Sequence, residues 1–81
     1  MRIIKEIVFE NCKASIFYMN QKYIVKFEQG VLEQTYKIGE LDFLVNSVED
    51  VENIISAGLL KNVQTIFTQM QRNFIEATKD F

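Results

Sequence analysis

The chain has no histidine, no proline and no tryptophan, and it holds one cysteine and three glycines. Without histidine it lacks the commonest general base and the commonest metal ligand together. One cysteine and no histidine cannot build a zinc site. Gly30, Gly39 and Gly58 stand too far apart to form a phosphate-cradling loop. Cys12 has no partner for an intramolecular disulfide, and among strand residues it reads as a small buried hydrophobe rather than a reactive thiol. A lone cysteine and the lack of a signal-peptide pattern fit a cytoplasmic location. No apolar run approaches the roughly 20 residues that cross a bilayer, so no membrane partner is expected. Glu49, Asp50 and Glu52 lack the spacing of a calcium loop and fit the first turn of a helix, where acids meet the positive end of its dipole. These absences predict a chain with no catalytic residue, no metal, no cofactor and no small-molecule substrate, and so not an enzyme.

What is present is a well-mixed 81 residues with 48% apolar content, enough for one domain spanning 1–81. Charge is unevenly shared. Met1 to Lys37 carries six basic residues against four acidic, a net of +2, while Ile38 onward carries seven acidic against three basic, a net of −4. The total of −2 argues against a general nucleic-acid or acidic-membrane binder, yet leaves room for an electropositive patch in the first half.

That first half, 1–39, reads as four strands: Ile3 to Phe9, Cys12 to Met19, Lys22 to Glu28 and Val31 to Ile38. The residue pairs between them, Glu10-Asn11, Asn20-Gln21 and Gln29-Gly30, have hairpin-loop length. Two-residue turns at all three predict facing pairs Ile7 with Ala14, Ile3 with Tyr18, Ile16 with Val25, Phe27 with Leu32 and Val25 with Gln34. Each hairpin then puts its apolar partners on the same face, and a slip of one residue would scatter them. The result is an antiparallel meander. Lys5 and Gln34 are misfits on the apolar face and are expected at its margins, reaching for water.

After Gly39 the stretch 40–46 reads as a connector whose Leu41, Phe43 and Leu44 tuck under the core. Ser47 and Asp50 resemble a capping box that opens a short helix within 47–58, closed by Gly58. The last segment, 59–81, places Leu60, Val63, Phe67, Met70, Phe74, Ala77 and Phe81 alternately three and four apart, on one side of a long amphipathic helix. At about 1.5 Å per residue that helix is roughly 30 Å long against about 15 Å across four strands, so it overhangs unless it runs along them. The fold class expected is α+β, a four-stranded meander with both helices on one face (ββββαα). Its core is expected from Ile7, Phe9, Ile16, Tyr23, Val25, Phe27, Leu32, Tyr36, Ile54, Val63, Phe67, Met70 and Phe74.

The same register leaves a row of Ile4, Phe17, Ile24 and Thr35 on the sheet's outer face, flanked by Val8 and Met19. A neighbouring row carries Arg2, Met19, Lys22 and Lys37, and Lys26 opposes Glu33. A one-layer sheet normally gives that face to water, and a contiguous apolar patch points to a partner. Three readings stay open. The patch is a homodimer interface, sheet on sheet or closed by another copy's helix; or it is a platform on which Phe17 stacks single-stranded nucleic acid while Arg2, Lys22, Lys26 and Lys37 track phosphates; or it is an ordinary surface partly covered by the 40–46 connector.

In the order of its elements, four strands then a C-terminal helix, the chain is similar to one repeat of Pur-type and Whirly-type single-strand nucleic-acid binders. That likeness is of layout and carries no binding residues over. The runs Lys22-Tyr23-Ile24-Val25-Lys26-Phe27-Glu28 and Leu32-Glu33-Gln34-Thr35-Tyr36-Lys37-Ile38 resemble small bacterial proteins of no assigned function. That resemblance implies a compact cytosolic domain and no particular activity.

Overall fold

The computed structural model of the chain describes residues 2–81. Four antiparallel strands, β1 (Arg2–Val8), β2 (Lys13–Met19), β3 (Lys22–Gln29) and β4 (Leu32–Gly39), lie in sequence order in one sheet. A single turn, α1 (Glu40–Phe43), leads to α2 (Val48–Ile54) and then to the long α3 (Leu60–Thr78). This is the α+β meander with a short and a long C-terminal helix that the hydrophobic pattern predicts.

The turns set the register. Asn20 and Gln21 both take positive φ, 51° and 61°, as the tightest two-residue hairpin demands. At the first hairpin the Phe9 N–H donates to the Cys12 carbonyl at 2.8 Å, and Ile7 faces Ala14 as expected. The third hairpin differs from expectation. Its central residues are Gly30 and Val31, not Gln29 and Gly30, because the glycine takes the first central position with φ 59°. That moves β4 by two residues: Phe27 faces Gln34, Val25 faces Tyr36 and Tyr23 faces Ile38. A shift of two keeps every side chain on its expected face, so the core survives and gains Ile38.

β1 carries a second correction. Ile3 faces Phe17 and Lys5 faces Ile16, so one extra residue is inserted between them. Beyond this bulge Arg2, rather than Ile3, faces Tyr18.

The core lies between the sheet and the helices. Ala14, Ile16, Val25, Phe27, Val51, Val63 and Phe67 are completely buried, with Cys12, Tyr23, Ile38, Val45 and Ile55 nearly so. Ile7, Phe9, Leu32, Tyr36, Ile54 and Met70 pack against them from partly exposed positions. Gln34 does not snorkel to water. Its Nε2 donates to the Val63 carbonyl at 3.0 Å and its Oε1 accepts from the Tyr36 hydroxyl at 2.9 Å, tying β4 to α3. Lys5 does reach the margin, where its Nζ pairs with Glu52 of α2 at 2.7 Å.

α2 opens as its sequence suggests. The Asp50 N–H donates to Ser47 Oγ at 3.4 Å, while the Asp50 carboxylate accepts from the Asn46 N–H at 3.0 Å. Aspartate is one methylene shorter than the glutamate of a full capping box, and it meets the backbone one residue before the cap. Between α2 and α3 the path breaks at Ala57 and Gly58. With φ 120° and ψ −17°, Gly58 turns the chain so that α3 returns across the sheet.

Two expected core contributions fail. Phe74 is half exposed and all of 71–81 is exposed, because α3 runs past the hairpin end of the sheet. The molecule measures 46 Å in its long direction against 24 and 22 Å, and the overhanging helix accounts for part of that length. The connector fails as well. Leu41, Phe43 and Leu44 are exposed at 87%, 61% and 84%, and only Val45 reaches the core. Leu44 sits in the left-handed region (φ 53°), which reverses the chain so that Val45, not the preceding residues, turns inward.

Candidate interaction surface on the outer face of the sheet

With the observed register, the outer face reads in rows across the strands. The central row is Phe17, Ile24 and Lys37, joined at the β1 edge by Ile3 opposite Phe17; the inserted Ile4 has no cross-strand partner and shares a cleft with Arg2, Ile3 and Tyr18. Next to it lie Met19, Lys22 and Gly39. On the other side lie Glu6, Ser15, Lys26 and Thr35, and beyond them Val8, Lys13, Glu28 and Glu33.

Phe17, Met19 and Ile24 therefore lie on one face as expected, while Ile3 takes the place opposite Phe17 expected for Ile4, which is inserted beside it in the bulge. Thr35 and Val8 are not beside them. The two-residue shift moves Thr35 opposite Lys26, and the Glu6–Ser15 row separates Val8 from the apolar row. Lys37 takes the place expected for Thr35, and Arg2 leaves the basic row because the bulge sets it against Tyr18. Ile3 joins the patch. Its signal in the sequence was the Ile3-Ile4 doublet, two adjacent apolar residues where strict alternation allows one.

Ile24 is only 8% exposed although it faces away from the core. Its neighbours on that face are Phe17 and Lys37 across the strand pairs and Lys22 and Lys26 two residues along β3. Aliphatic lysine stems lie along apolar surface while their ammonium groups stay in water. The exposed apolar surface is thus Ile3 (50%), Ile4 (43%) and Met19 (37%), with the half-buried Phe17 between them.

Charge on this face is partly neutralised. Lys13 pairs with Glu6 at 3.5 Å. Lys26 reaches Glu33 diagonally at 3.4 Å, although the two are not directly opposed as expected, and this relieves the like-charged Glu28–Glu33 pair. Among the described residues, Lys22 and Lys37 have no carboxylate partner. They line one wall of a cleft of about 310 Å³ whose other wall is Leu41 and Asp42. The Asp42 carboxylate lies over Gly39, 2.8 Å from where a Cβ would stand, so the connector borders the outer face without covering it.

Around the rim, the Tyr18 hydroxyl donates to the Glu40 carboxylate. That hydrogen bond, with smaller contributions from burial and the nearby negative charge, holds the Tyr18 pKa above its ordinary value. Burial raises Tyr23, whose ring tilts against that of Tyr18 at 4.9 Å, and burial likewise raises the Cys12 thiol. A raised thiol pKa fits the structural role expected of Cys12. Among the described residues no group of three or more acidic, cysteine or histidine side chains is placed to hold a metal ion, and no helix is long and apolar enough to cross a membrane. Comparison with protein-family models, curated proteins and solved structures finds no match to this chain.

Proposed function

We propose that this protein is a non-enzymatic interaction module that forms a symmetric homodimer through the outer face of its sheet. The observation that carries the reading is the exposed apolar group of Ile3, Met19 and the half-buried Phe17, with the bulged Ile4 at its edge, on a face that a single-layer sheet ordinarily gives to water. Two-fold homodimers are the commonest closed assembly, and they need one self-complementary surface. Sedimentation velocity at micromolar concentration tests this. A species near twice the 9.5 kDa chain mass is expected. Phe17→Glu places a charge in the middle of the group and should give a folded monomer. An unsubstituted chain that sediments as a monomer removes the proposal.

A second reading rests on the lysines. Lys22, Lys26 and Lys37 surround Ile24, and Phe17 lies beside it, which suits a single nucleic-acid strand whose phosphates meet the ammonium groups while a base stacks on the ring. Among the described residues the face carries one aromatic side chain, and two of its four lysines are paired with glutamate, so this reading comes second. Fluorescence anisotropy with a single-stranded oligonucleotide separates the two. Binding that falls steeply with salt supports the strand, and no binding at low salt removes it.

A further inference from the structure

Resting on the self-association reading, we infer that what each outer face receives is the acidic, apolar connector of the second copy, Glu40 to Leu44, exchanged reciprocally across the two-fold axis.

Charge complementarity comes first. The connector itself holds two acids and no base: Glu40, which accepts from the Tyr18 hydroxyl, and the exposed Asp42. Lys22 and Lys37, at the same end of the outer face, are the lysines of that face without an acidic partner among the described residues. Sheet-on-sheet contact has less to offer them: of the acids on that face, Glu6 and Glu33 already pair with Lys13 and Lys26, which leaves Glu28 as the acid of that face without a basic partner among the described residues.

Position comes second. Leu41 and Asp42 share a cleft with Lys22 and Lys37, so donor segment and receiving face are contiguous on one surface. A two-fold axis between them lays each connector on the other copy's face and closes the assembly at two chains. A head-to-tail relation would instead build a larger ring or an open filament.

Area comes third. The connector exposes 87% of Leu41, 61% of Phe43 and 84% of Leu44, and the receiving face exposes Ile3, Ile4 and Met19 at 50%, 43% and 37%. Taking the roughly 150–250 Å² of an aromatic side chain as an upper measure for each, these six supply on the order of 700 Å² per copy if all of it is covered, within reach of the about 800 Å² per partner of a standard interface. The overhanging tip of α3, with Phe74, Ile75 and Phe81, exposes an apolar area comparable to the connector's, but its two acids, Glu76 and Asp80, are accompanied by Arg72 and Lys79 and so offer the lysines no net charge.

The test is a charge swap. Lys37→Glu and Asp42→Lys both alter exposed side chains. In either homodimer both symmetry-related contacts become like-charged, so each variant alone should self-associate about tenfold more weakly or worse. Mixed in equal amounts, the two variants oppose unlike charges at both contacts, and the dimer should return to within a few-fold of its original affinity. That restoration would also show that each variant is folded. The connector assignment falls if either variant self-associates as tightly as the unsubstituted chain, or if the mixture gains nothing over its components. If dimerisation survives both variants yet is lost in Phe17→Glu, the outer face self-associates by another contact and only the connector assignment falls. If the unsubstituted chain is a monomer, both readings fall.

Discussion

Phe67 and Phe74 occupy the same apolar stripe of α3, two helical turns apart, and truncating each to alanine asks how far the sheet covers that stripe. Phe67 is completely buried and Phe74 is 50% exposed. Phe67→Ala removes the transfer free energy of the ring and leaves a cavity, together about 3–5 kcal/mol. A chain of this length holds about 4–12 kcal/mol in all, at roughly 0.05–0.15 kcal/mol per residue. The variant should therefore lose from about a quarter to all of its stability, and loss of a cooperative transition counts among the expected results. Phe74→Ala removes about half of a transfer term of roughly 1.5–3 kcal/mol. It opens no enclosed cavity because one side of the ring already faces water, so the cost should be about 1 kcal/mol. Urea unfolding followed by far-ultraviolet circular dichroism measures both, with the m-value checked for constancy. Repeating the titration at tenfold lower protein concentration reveals any contribution from association as a shift of the midpoint. If Phe74→Ala costs as much as Phe67→Ala at both concentrations, the end of α3 is packed within the monomer and the overhang is wrong.

Two further outcomes follow from local geometry. Gly58→Ala puts a Cβ where nothing lies within 4 Å, so any cost is conformational. At φ 120° the left-handed side of the map should cost at least about 1 kcal/mol, read from the shift of the urea midpoint at unchanged m. The Tyr18 pKa is raised in the folded state, chiefly by the hydrogen bond to Glu40. The associated stability is therefore complete below the ordinary tyrosine value of 10.0 and is lost as pH climbs through the folded value. Tyr18→Phe should flatten that part of the stability–pH curve above pH 10, and an unchanged alkaline slope would remove the Tyr18–Glu40 bond from the account.

The period of the sequence determined a good deal by itself. Alternation with a period of two placed Ile16, Val25 and Phe27 inward and Phe17 and Ile24 outward, and three short turns fixed an antiparallel order. Parity tolerates the error made at the third hairpin, because a shift of two residues leaves every side chain on its own face. The heptad-like spacing of α3 gave the buried stripe from Val63 to Met70.

Only the tertiary structure decided where those patterns stop being used. Hydrophobic spacing shows which side of a helix is apolar but not how long a surface lies beneath it, so Phe74 reads like Phe67 and yet stands beyond the sheet. Leu41, Phe43 and Leu44 look like core residues, but Leu44 turns the backbone left-handed and hands the interior to Val45. The bulge beside Ile4 and the two-residue slide of β4 exchange Thr35 for Lys37 next to Ile24, and so decide which side chains make up the candidate interface. Composition and period act along the chain, whereas a surface is made by residues distant in sequence whose registers are set by turns and bulges. That is why the sequence foretold an apolar row on the outer face and the fold chose its members.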